Sequence, residues 1–273
     1  ASPVAVSAAQ VLAFRQYSQN LAARLPTGSL IQAAGACGVQ DTPPGSAALA
    51  LHARLQDLTP EDLRRAVEGE KSLLRAWSLR GAPYLFPTSD ASVFTLGVLP
   101  EDEESLRTFI LGVVPALEEA GIRATQLVEW TALATEAVLD GRQLTKDQLG
   151  VEVARRLESR LKPAQLALWR SSSAYAAGQS QGESMARFAL YVVSVYGLLC
   201  FGPRRGQAAT LVRTDQWLGA PLPPADRDRA KAELLRRYLH CYGPSTPDHF
   251  ALWAGISSPP TSTSTAGRRS SGT

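Results

Sequence analysis

Three polar side chains of different chemistry follow one another at Gln40, Asp41 and Thr42, inside the stretch Gly38-Val39-Gln40-Asp41-Thr42-Pro43-Pro44-Gly45. An amide accepts and donates at once, a carboxylate accepts, and a hydroxyl does either. The segment sets these groups between an apolar stretch and a proline stop. Taken alone it is equally an ordinary loop entering a helix, with Thr42 or Ser46 as N-cap. A second set is basic. A helix expected over Lys71–Arg80 places Lys71 and Arg75 on one face and Leu73 and Trp77 on another, with Arg80 at its end. Arg204 and Arg205 follow in a turn. Only four of the 28 basic residues are lysine. Arginine suits phosphate contact because its fork binds paired oxygens, although a bias in codon composition gives the same count. The pairs Arg64-Arg65, Arg155-Arg156 and Arg236-Arg237 read as solvated helix faces. The acidic run Glu101–Glu104 reads as the start of a helix, where negative charge suits the dipole.

Other chemistries lack their residues. His52, His240 and His249 do not stand at ligand spacing from Cys37, Cys200 and Cys241, so no metal is expected. No phosphate-binding glycine loop and no Gly-x-Ser-x-Gly elbow occurs, and no cofactor is expected.

The elements that must position these groups are mostly helical. The 273 residues are 45% hydrophobic and 19% charged, which is ample for a packed core. The net charge of +3 permits a local nucleic-acid surface without requiring one. Three cysteines without a spacing pattern argue for a reducing compartment. The N-terminal residues lack a signal-peptide pattern, and the longest uncharged run, Phe188–Pro203, is short for a membrane span. A cytoplasmic protein without a membrane partner is expected.

Periodicity predicts helices over Val11–Leu25, Ser46–Leu58 and Met185–Cys200, the last as core rather than interface, so a monomer is favoured. Strands are expected at Ala82–Pro87, Ser92–Val98 and Ala208–Arg213. Helix starts recur at Leu58-Thr59-Pro60, Leu144-Thr145-Lys146 and Ser245-Thr246-Pro247, each with Thr as N-cap. Helix, helix and then a β wing is the order of a winged helix-turn-helix, and the helix Lys71–Arg80 would be its DNA-facing helix. The expected division is a first unit over 1–100, a second over 101–222, an incomplete third over 223–256 and a disordered tail over 257–273.

The run GVQDTPPGSAALALHARL, followed by LTPEDLRRAV and LLRAWSLRGAPYLFPTSD, resembles the AlkZ-like family of winged-helix DNA glycosylases. So do FGPRRGQAATLVRTDQWLG and RRYLHCYGPSTPDHFALWAGIS. The resemblance covers most of residues 10–256. It implies tandem winged-helix units cradling double-stranded DNA, followed by a C-terminal β-barrel that has no counterpart after Ile256. It also implies hydrolysis of the N-glycosidic bond of N7-alkylated purines and, in some members, unhooking of interstrand crosslinks. The family's catalytic motif is Gln, one residue, then Gln or Asp. Gln40 matches the first position, Asp41 is the intervening residue, and the second position holds Thr42. The resemblance thus points to Gln40 as the group that positions water, with Asp41 and Thr42 assisting or replacing the second polar group. Lys71, Arg75, Arg80, Arg204 and Arg205 are the expected DNA contacts, by helix and wing placement alone. No lysine suited to a Schiff base lies near the motif, so lyase chemistry is not expected. The rival expectations are a non-catalytic winged-helix DNA-binding protein, whether regulator or truncated paralogue, and a partner-binding helical protein.

Overall fold

The computed structural model describes residues 4–256; the expected tail at 257–273 lies outside them. Helix α1 (Ala8–Ser18) precedes α2 (Leu30–Gly35), strand β1 (Val39–Gln40), α3 (Ser46–His52) and α4 (Pro60–Arg64). The last runs on as a π-turn over Arg65–Gly69. A hairpin follows, β2 (Leu73–Trp77) and β3 (Pro83–Pro87), then the short α5 (Ala91–Phe94). The middle of the chain supplies α6 (Glu103–Phe109), α7 (Val114–Ala120), α8 (Ala124–Val138), β4 (Leu144–Thr145), α9 (Lys146–Leu157), α10 (Pro163–Arg170) and α11 (Gln181–Val195). It closes with β5 (Leu199–Phe201), β6 (Thr210–Arg213) and α12 (Thr214–Leu218). Helices α13 (Arg227–Tyr242) and α14 (Pro247–Ala254) end the described chain.

The two small sheets are built alike. In the first the order is β1-β3-β2, and in the second β4-β6-β5, antiparallel throughout. In each, the first strand is a two-residue edge piece leading into a helix, and the other two form a hairpin. By this topology Thr145, which ends β4 and caps α9, corresponds to Gln40, which ends β1. It does not correspond to Thr59, which caps α4 just before a hairpin. The expected repeat therefore aligned helices of different rank. The caps themselves are as expected. Thr59 with Asp62 and Thr145 with Gln148 form reciprocal capping boxes, and Thr246 accepts from the His249 amide.

Five expected elements are corrected, two in type and three in length. Lys71–Arg80 is a strand and a hairpin tip rather than a helix. Leu73, Leu74, Ala76 and Trp77 are all buried, so the segment carries apolar residues on both faces and shows no strand alternation. Such a run suits a strand covered on both sides as well as a helix, and the pairing of Leu73–Trp77 with Pro83–Pro87 decides it. Ser92–Val98 is helical, with α5 and a 3-10 turn at Leu96–Val98 seated on α13. Gly97 allows that approach, since a Cβ there would stand 3.1 Å from the Ala230 carbonyl. The long N-terminal helix stops at Ser18, and the helix from Ser46 stops at His52. The apolar helix gives way to strand β5 before Cys200.

Helix α11 is the axis of the middle region. It is buried almost all round and packs on α8, α9, α10 and β2, so it is an interior helix rather than an exposed reading helix. Trp77 joins the two sheets. Its ring meets Tyr191 of α11 edge-on at 4.9 Å and Phe201 of β5 at 4.8 Å, and its backbone amide donates to Ser194 Oγ at 3.1 Å. At the other end of α11 the Trp169 ring lies across Gly182, while its Nε1 donates to the Ala154 carbonyl at 3.1 Å. A Cβ on Gly182 would fall 2.2 Å from that ring. The Gly182→Ala variant is expected to lose about 2–3 kcal/mol of stability through overpacking, measurable by urea denaturation; wild-type stability would show that Trp169 has another place to go.

Candidate functional site

Strand β1 sets the side chains of the polar segment by its pleat. Gln40 pairs with Tyr84, and the Asp41 amide donates to the Pro83 carbonyl at 2.8 Å, so the strand geometry carries through the motif. Val39 and Asp41 are buried. Gln40 and Thr42 lie on the opposite side and line one cavity of about 310 Å³. Its walls include Ser46, Ala50 and Arg54 from α3 and the turn after it, Cys37 and Gly38 before β1, and Cys241 and Tyr242 at the end of α13.

Asp41 is used by the fold. Its Oδ1 accepts from the Gly45 amide at 2.8 Å and the Ala47 amide at 3.3 Å, and its Oδ2 meets Arg75 Nη1 at 3.4 Å. The N-terminus of α3, whose own N-cap is Gly45, therefore receives its anion from Asp41. Neither Thr42, which is exposed, nor Ser46 caps it; Ser46 Oγ instead donates to the Gln40 carbonyl at 3.1 Å. Arg75 lies between Asp41 and the Phe201 ring, 5.2 Å from the ring centre.

The far wall is tied together by polar contacts. Arg54 donates to the Ala50 carbonyl and to Gln19 Oε1, and Gln19 Nε2 donates to the Cys241 carbonyl. Cys241 Sγ donates to the Ala36 carbonyl at 3.6 Å; the neighbouring Cys241 thiol and burial push the Cys37 thiol up. Burial, with the two cysteines and Tyr84 nearby, pushes the Tyr242 phenol up to about 12. None of the residues lining the cavity is a carboxylate. The cavity thus offers the amides of Gln19 and Gln40, hydroxyls, thiols, a neutral phenol and the Arg54 cation. These groups can hold a water or a polar ligand in place, but they supply no strong base.

The expected basic residues do not share a helix face. Lys71, half-buried in the turn before β2, stacks its Nζ 4.7 Å from the Trp217 ring. Arg75 is engaged inside the fold as described. Arg80, at the hairpin tip, points to Gln40: its Nη2 donates to Gln40 Oε1 and to Tyr84 Oη, both at 2.9 Å. Arg204 and Arg205 stand exposed in the β5–β6 hairpin. Arg64 and Arg65 are ion-paired to Glu61, Asp62, Glu68 and Glu70. Sequence reasoning missed Tyr84, Arg54, Cys37, Cys241 and Tyr242. Only Tyr84 carried a signal, as a residue of the strand that could face Gln40. No cluster of metal-ligating side chains occurs among the described residues.

A family model described as DNA glycosylase AlkZ-like matches residues 33–271 of the chain. An interstrand DNA cross-link repair glycosylase from Streptomyces sahachiroi is 26% identical over 260 residues, covering 91% of this chain and 61% of that protein. The solved structure of Streptomyces sahachiroi DNA glycosylase AlkZ is similar with a TM-score of 0.66 and 26% identity, covering 92% of this chain and 61% of that one. The chain therefore spans less than two thirds of the length of these relatives.

The Asp41→Ala variant should lose about 2–4 kcal/mol, because two helix amides and a half-buried guanidinium lose their acceptor. Asp41→Asn keeps an oxygen for both amides and should lose about half as much. Urea melts of the two at neutral pH test this, and equal losses would mean that the loop bonds contribute nothing.

Proposed function

Because the chain belongs to the AlkZ-like DNA glycosylase family, we propose that it hydrolyses the N-glycosidic bond of N7-alkylated purines in double-stranded DNA, with crosslinked purines as a further substrate class. The observation that carries this is the cavity lined by Gln40 and Thr42 and by no carboxylate. A base alkylated at N7 is already cationic and departs as a neutral molecule. It needs a water held below C1′ of the sugar rather than a strong acid or base. Gln40 and Thr42 are the proposed groups for that water. Asp41 is proposed to assist from behind, by fixing the loop that presents them.

The reading of DNA contact rests on the topology. Both halves run helices, a two-residue strand, further helices (two in the first half, three in the second) and then a hairpin, with the same strand order in the sheet. We take these as two winged-helix units, within 1–100 and 101–222, with α13 and α14 as the start of a third within 223–256. With α11 buried, the exposed tip of the second hairpin is the part of its unit taken to meet DNA. Arg204 and Arg205 there are the proposed phosphate contacts, joined by Lys71 at the edge of the first sheet. Arg75 and Arg80 are proposed to hold the site. No helix among the described residues is long and apolar enough to cross a membrane. The rival, a DNA-binding protein without catalysis, draws support from the hydroxyl at position 42 in place of a second amide or carboxylate.

Duplex DNA carrying N7-methylguanine, incubated with the chain beside an undamaged control, should release base above the spontaneous rate. Gln40→Ala should lower that rate about 100-fold with DNA affinity retained. Wild-type release that survives Gln40→Ala would remove the residue from the mechanism. No release with salt-dependent DNA binding intact would leave the non-catalytic protein. In the same binding assay, replacing Arg204 and Arg205 together by alanine should lower the slope of log affinity against log salt by about 2; an unchanged slope would take the second hairpin off the DNA.

A further inference from the structure

The Gln40 side chain is held from outside the cavity. Arg80 Nη2 donates to its Oε1 at 2.9 Å, and Tyr84 Oη lies 3.4 Å from the same atom while itself accepting from Arg80. Guanidinium has no acceptor, so the end of the amide that faces it must be the oxygen. Both lone pairs of that oxygen are then addressed, and Nε2 has no partner among the described residues.

Arg80 is in turn fixed by a distant part of the chain. Its other terminal nitrogen, Nη1, donates to the Trp253 carbonyl near the end of α14. Its backbone has φ +56° at the tip of the β2–β3 hairpin, a region that a side-chain-bearing residue seldom adopts. Gly255, which ends α14 with φ +76°, lies against it so closely that a Cβ would stand 2.8 Å from Arg80 Cα. A glycine at position 80 would relax the turn, so the arginine is there for what its side chain does.

We propose that Arg80 is a positioning residue for Gln40. It fixes the amide with its oxygen outward and its –NH2 toward the cavity, so that Gln40 donates to the bound water and Thr42 Oγ1 takes the hydrogen bond from it. This deepens the proposed glycosylase mechanism and rests on it. It assigns Arg80 to the orientation of one side chain instead of to a phosphate. The cation on Oε1 also polarises the amide, which makes its N–H bonds stronger donors.

Two readouts test it. In single-turnover release of N7-methylguanine, Arg80→Ala should lower the rate at saturating enzyme roughly 10–100-fold, with the DNA dissociation constant and its salt slope unchanged. Arg80→Lys, which keeps one cationic donor, should recover part of the rate. A phosphate contact would give the opposite split: weaker binding, a shallower salt slope and a normal rate at saturation. Independently of activity, the side-chain amide resonances of Gln40 in a ¹⁵N-labelled protein, assigned by their loss in Gln40→Ala, should shift to solvent-like values in Arg80→Ala. In Arg80→Lys they should move part of the way. Resonances that stay in place in both variants would overturn the assignment. If the wild-type chain releases no base, the glycosylase reading fails, while the resonances still decide whether Arg80 holds Gln40. Should Arg80→Ala not fold, Arg80→Lys and Tyr84→Phe provide the same comparison.

Discussion

A carboxylate buried between a helix N-terminus and an arginine determines the shape of the candidate site. Asp41 could not be accommodated where it is without the Gly45 and Ala47 amides on one oxygen and Arg75 on the other, because an uncompensated buried charge is expensive. Satisfying it bends the chain from β1 into α3 and pulls β1 against the hairpin. The pleat then leaves Gln40 and Thr42 no choice but the other side. The pair that lines the cavity, half-buried Gln40 and exposed Thr42, is placed by the hidden residue between them.

The same arginine extends this constraint to the rest of the molecule. Arg75 reaches from β2 to the Phe201 ring of the second sheet, and two residues on Trp77 packs against Tyr191 and Phe201. The two sheets are thus joined through one strand whose both faces are covered. Helix α11 fills the space beneath, which is why it is the most buried long helix rather than a surface available to a duplex.

How far the sequence disclosed this depended on whether the signal was local. The caps at Thr59 and Thr145 are local chemistry and were legible. So was the polar motif, with its proline stop. Family resemblance gave Gln40 a role, and strand alternation could have separated Asp41 from its neighbours had the short β1 been recognised. The basic set went astray because Leu73, Leu74, Ala76 and Trp77 fit a helix face as well as a strand buried on both sides; only the partner strand resolves the two. Cys241 and Tyr242 of the far wall, at the end of α13, carry no local sign that they border Gln40.

The two ends of the described chain are held together around the cavity by three contacts, of which the Gln19–Cys241 contact forms part of its wall. Gln19 meets Cys241, Arg237 meets the Gly35 carbonyl, and Arg80 meets Trp253, at sequence separations of 222, 202 and 173 residues. Contacts so remote in sequence form late, since the loops they close must first give up their entropy. During synthesis the first sheet can assemble with Gln40 already on its edge, yet the wall opposite it does not exist until α13 and α14 have emerged and docked. Until α13 has docked, the nascent chain carries its polar motif in an open, unshaped form, and the site comes into being only with that docking step.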